Sequence, residues 1–144
     1  MVEQDTVRLL RECDSGAKMG VDSLTDVLDR AENDTLRDIL TRSKEDHEQL
    51  SRDVQQRLDQ LGDAGKQPPA MASAMSWLKT NMELLADGSD SKIADLMTEG
   101  CNMGIKSLSK YLNQYQAADE TSKSLTRKLI GLEETLARQI RSYL

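Results

Sequence analysis

His47 is the only histidine among 144 residues, and it lies on a stripe with Leu36, Leu40, Ser43, Leu50 and Val54 at helical spacing. An imidazole in such a place can ligate a metal, carry a proton or hydrogen-bond within a core. The carboxylates that would complete a metal site are Glu45 beside it, Glu133 or Glu134 far along the chain, and Glu12 and Glu99 close to two other apolar stripes. An offset of 86 residues, midway between the two repeat registers described below, pairs His47 with Glu133. A divalent transition ion normally takes three or four protein ligands. One histidine with one or two carboxylates falls short, so the expectation for His47 is a core-edge residue hydrogen-bonded to a neighbouring helix. Glu12, Glu45 and Glu99 are expected at helix boundaries, paired with Lys18, Lys44 or Lys106. Such pairs contribute about 0–1 kcal/mol when exposed.

Cys13 and Cys101 hold matching places in the two halves of the chain, so a disulfide or a shared redox role is one reading. The expected one is two small, buried, apolar residues on helix faces, reduced as in the cytosol. No glycine-rich loop precedes a helix in a phosphate-cradling pattern, and no Ser/His/Asp or Cys/His set offers a nucleophile.

The elements that must position these residues repeat. Gly20-Val21-Asp22-Ser23-Leu24-Thr25-Asp26-Val27-Leu28-Asp29 returns as Gly104-Ile105-Lys106-Ser107-Leu108-Ser109-Lys110-Tyr111-Leu112-Asn113, with each apolar position kept apolar. One helical turn away, Cys13-x-x-Gly16-x-Lys18 matches Cys101-x-x-Gly104-x-Lys106. A four-residue slip rotates a helix by only about 40° from a full turn, so both registers present the same face. Self-similarity of this kind implies two helical hairpins packed face to face, with any metal on the axis between them.

Apolar residues at spacings of three and four mark a first helix from about Asp5 to Arg30. Asn33 or Asp34 can cap a second, which runs to about Leu61 and stops at Gly62. A breaker-rich link containing Gly65, Pro68 and Pro69 leads to a short amphipathic helix over 72–85, with Met75, Met82 and Trp77 on or beside its covering side. Ser89 or Asp90 can cap a third long helix and Asp119 a fourth, whose inward face reads Leu125, Leu129, Leu132, Leu136, Ile140 and Tyr143. At about 1.5 Å per residue the short helix covers roughly 20 Å, enough to return the chain along the bundle. The second and third long helices then run parallel. Gly16, Gly20, Gly100 and Gly104 fall inside helices, where each costs about 1 kcal/mol relative to alanine. Close helix approach at the repeat axis is the expected compensation.

The net charge of −6 and pI near 4.8 argue against nucleic acid, which requires a basic stripe. No apolar run approaches the roughly 18 residues of a membrane span. The acidic start, Met1-Val2-Glu3-Gln4-Asp5, is unlike a signal peptide, so the expected location is cytoplasmic.

Taken in order, Cys13-x-x-Gly16, Lys44-Glu45-Asp46-His47-x-x-Leu50, Trp77-Leu78-Lys79 and Gly88-Ser89-Asp90 give a sequence that resembles ferritin-like proteins over residues 10–144. More narrowly, it resembles a bacterial family of small stand-alone ferritin-like bundles of unknown function. The resemblance implies one all-α domain over 1–144, a ferritin-like four-helix bundle. Its two repeated hairpins, at about 5–61 and 90–144, are joined by a crossover at about 62–89. Ferritin-like proteins that bind two metals use a carboxylate from each of two helices and a Glu-x-x-His pair from each of the others. At the aligned positions this chain has Ala17 and Ile105 for the carboxylates, Lys44 three residues before His47, and Leu132-Glu133-Glu134 without a histidine. The expectation is a non-enzymatic structural or interaction module, associating as a homodimer or with another protein, with no metal ligands and no cofactor. The alternative is a protein of iron handling or peroxide and stress defence. It would hold iron or manganese through His47, Glu45, Glu133, Glu134, Glu12 and Glu99.

Overall fold

Three side chains open three helices by accepting an N–H from the residue three positions on: Asn33 from Leu36, Ser89 from Lys92, and Asp119 from Ser122. Each satisfies a first-turn donor that has no partner within the helix, typically worth about 1 kcal/mol. The computed structural model describes residues 2–63 and 89–144. They form α1 (Val2–Leu28), α2 (Asp34–Gln60), α3 (Asp90–Gln114), α4 (Glu120–Ile140) and a final 3₁₀ turn, Arg141–Tyr143. There is no strand among the described residues. The first helix starts somewhat ahead of the expected Asp5 and ends at Leu28. The second stops at Gly62, whose φ of +71° is the left-handed conformation that closes a helix at little cost to glycine. The expected short helix over 72–85, with Trp77 and its methionines, lies outside the described residues.

Hydrogen bonds between the helix ends fix their directions. At one end the Asp90 carboxylate accepts the N–H groups of Glu32 and Asn33, at 2.8 and 3.0 Å, and the Tyr143 hydroxyl reaches Asn33. At the other, Asp5 accepts from Ala117 N–H, Thr6 Oγ1 accepts from Asp119 N–H at 2.8 Å, and Arg57 pairs with Asp119 at 3.0 Å. α2 and α3 therefore start at the same end and run parallel, each antiparallel to the helix it is joined to by a short turn. Asp63, bonded to Arg11, lies at the end opposite Ser89. α1 packs along α2, α3 along α4, and α2 along α4, while α1 also meets α3 and α4.

The apolar stripes meet in two separate clusters. Towards the start of α2, Leu24, Val27, Leu36, Leu40, Ile93, Met97, Leu136 and Ile140 pack together. Towards its end, Leu10, Cys13, Ala17, Leu50, Val54, Leu58, Leu108 and Leu129 do the same. Each fully buried leucine or isoleucine contributes about 1.5–3 kcal/mol through removal from water. Between the clusters, every helix changes character. α1 supplies Gly20, α2 supplies His47, α3 supplies Gly104 and α4 supplies Glu133. The core is interrupted at mid-height by one polar layer.

The fourth helix departs from its expected face. Leu125, Leu132 and Tyr143 are only half-buried, while Ser122 and Thr126 are fully buried. Their hydroxyls donate to the carbonyls of Asp119 and Ser122, at 2.9 Å each, so neither brings an unmet polar group into the core.

Candidate functional site

His47 is 1% exposed, and both ring nitrogens have partners. Nδ1 lies 2.7 Å from the Ser43 carbonyl oxygen, one turn earlier on α2. Nε2 lies 3.0 Å from Glu133 Oε1 on α4. Burial alone would lower the pKa of the ring. The Glu133 hydrogen bond and charge, helped by the Ser43 carbonyl and Asp46, outweigh it and raise the pKa from its ordinary value of 6.5. Protonation of the ring lets both N–H groups donate, one to the Ser43 carbonyl and one to Glu133.

Gly20 makes room for that ring. A Cβ built on it would stand 2.5 Å from His47 Cδ2 and 3.0 Å from Nε2, so α1 approaches α2 here as only glycine allows. Gly16 is also tight, with Leu129 at 3.2 Å. The same expectation fails at two other glycines. A Cβ on Gly104 would meet Glu133 at 3.7–3.9 Å, an ordinary contact, and one on Gly100 would meet nothing within 4 Å. Gly104→Ala and Gly100→Ala are therefore expected to leave stability unchanged or raise it by up to about 1 kcal/mol, through helix propensity and a less disordered unfolded chain. Urea melts of the two variants check this.

The structure brings together only part of the candidate set. His47 meets Glu133 and not Glu134, which is exposed along with Glu45 and Glu99. Glu12 is half-buried at the α1–α3 boundary and bonded to Tyr111, whose ring stacks on Tyr115 with centroids 6.2 Å apart. Burial raises the Glu12 pKa, with the Tyr111 hydrogen bond opposing. Lys18 takes a different partner from those expected: Asp14, at 2.7 Å. Asp14 is 5% exposed, and sequence reasoning missed it as a buried carboxylate. The Asp14-x-x-x-Lys18 spacing was its signal, since ions four residues apart on a helix meet side by side.

Cys13 and Cys101 are buried free thiols. Burial pushes the Cys13 pKa up to about 12. Burial and the adjacent Glu133 carboxylate also raise that of Cys101. Nucleophilic and redox chemistry need the thiolate, which both environments disfavour. Among the described residues, no three His, Cys, Asp or Glu side chains converge as a metal ion requires. The central layer does not fit the ferritin-like dinuclear pattern either: Nδ1 is committed to a carbonyl, and the position beside Gly16 carries Ala17. Among the described residues, no helix is long and apolar enough to cross a membrane.

No protein-family model and no curated protein matches this chain. Among solved structures, the crystal structure of a DUF305 fragment from Deinococcus radiodurans is similar, with a TM-score of 0.75 over 96% of this chain and 93% of that one. The two are 14% identical, so the likeness shows a common helical fold and transfers no activity.

Proposed function

We infer that this chain is a non-enzymatic helical bundle, a structural or interaction module, in which a buried His–Glu contact occupies the level where a ferritin-like protein would hold metal. The observation that carries this reading is the commitment of both His47 nitrogens to protein partners, with His47 and Glu133 both buried. A ligating histidine needs one nitrogen free for the metal.

The same reading gives the bundle a ferritin-like layout built from a duplicated hairpin. Its support is the parallel course of α2 and α3 and the matched depth of the central residues. His47 and Glu133 each stand fourteen residues after their helix's N-cap, Asn33 and Asp119. Gly20 and Gly104 lie against those two side chains. A cytoplasmic location agrees with two unpaired, buried thiols.

Iron(II) or manganese(II) added to chelator-stripped protein should leave the melting temperature unchanged, because a ligand raises it only by binding the folded state. Elemental analysis after purification with either metal present should find less than stoichiometric metal. A rise of several degrees that disappears in His47→Ala would overturn the reading.

A further inference from the structure

The geometry of the central pair requires a proton whose loss should matter. The Ser43 carbonyl oxygen can only accept, so its 2.7 Å contact places a proton on His47 Nδ1. A neutral imidazole has one N–H, which leaves Nε2 a bare lone pair. Yet Nε2 lies 3.0 Å from Glu133 Oε1, a distance at which two acceptors need a proton between them. That second proton joins α2 of the first hairpin to α4 of the second. We propose that it is a latch between the two hairpins, closed while the ring keeps that proton and released when the proton leaves as the pH rises.

The surroundings favour the closed state. Asp46, on α2, adds a second negative charge. From α3, Cys101 faces Glu133 as a thiol kept protonated by burial and by that carboxylate. From α1, Gly20 brings no charge, and Asp14 and Lys18 neutralise each other beside Ser51, a turn further along α2. After release, a largely buried carboxylate would face a bare lone pair 3.0 Å away. The folded-state pKa of His47 is raised above its ordinary 6.5. The latch's contribution is therefore complete below about pH 6.5 and lost as pH rises through the folded-state value.

The inference rests on the reading of the pair as a metal-free contact, and one set of experiments separates the two. A single histidine makes the Cε1–H resonance an unambiguous reporter, titrated in chelator from about pH 5 to about pH 9 beside urea melts of the full chain. The expected midpoint lies above about 6.5. The folding equilibrium constant should fall across it, by up to about tenfold for each unit of excess. In Glu133→Gln the amide N–H can donate to a neutral Nε2, so the contact survives without the second proton. Its histidine midpoint should drop to about 6.5 or below, and the fall in stability with rising pH should vanish. His47→Gln should lose the slope as well. A wild-type midpoint at or below about 6.5, or a slope unchanged in both variants, would overturn the latch. Manganese(II) raising the urea midpoint of wild type but not of Glu133→Gln would instead overturn the metal-free reading.

Discussion

His47→Ala is expected to destabilise the fold by about 3–5 kcal/mol, the usual cost of removing one partner from a buried charged pair. Two effects act together. Glu133, with its side chain 11% exposed, loses its cation, and a ring-sized void opens against Gly20. Urea denaturation near neutral pH measures it, and the transition should keep its steepness while its midpoint falls. His47→Gln should cost less, because an amide N–H can still donate to the carboxylate. A loss below about 1 kcal/mol in the alanine variant would mean that water or a neighbour already solvates Glu133.

Gly20→Ala should cost about 1–3 kcal/mol despite the better helix propensity of alanine. The new methyl would fall 2.5 Å from His47 Cδ2, and the ring has no free direction while both nitrogens stay bonded. Either the ring leaves Glu133 or α1 moves away from α2. The penalty should largely vanish in a His47→Ala background, where the methyl fills space that the ring has left. If it persists there, the backbone contact and not the ring sets the glycine requirement. Thermal or urea melts of the two single variants and the double variant decide between these.

Much of the fold was legible because helix signals are local. The caps at Asn33, Ser89 and Asp119 and the stop at Gly62 need only a few residues of context. Apolar spacing also located most of the core. It failed on α4, where Ser122 and Thr126 are buried and Leu132 is half-exposed, because a stripe count scores a hydroxyl as polar even when a backbone carbonyl satisfies it. Asp14 was missed for the same kind of reason, since its charge is met by Lys18 within one turn. The sequence offered Glu133 or Glu134 as the carboxylate opposite His47. It did not reveal the bond between His47 and Glu133, which depends on a ring orientation set by Ser43. Nor did it separate the glycines. Gly20 and Gly104 match in sequence, yet a Cβ on one would meet a ring at 2.5 Å and a Cβ on the other a carboxylate side chain at 3.7 Å, because different side chains oppose them.

The most direct test of the account is a double-mutant cycle on His47→Ala and Glu133→Ala, measured by urea denaturation in chelator near neutral pH. If the two side chains form one buried pair across the hairpins, removing the second should cost far less than removing the first. The expected coupling is about 2 kcal/mol or more. Additivity within about 0.5 kcal/mol would show that the two residues act independently, and the central layer would then not be the contact described.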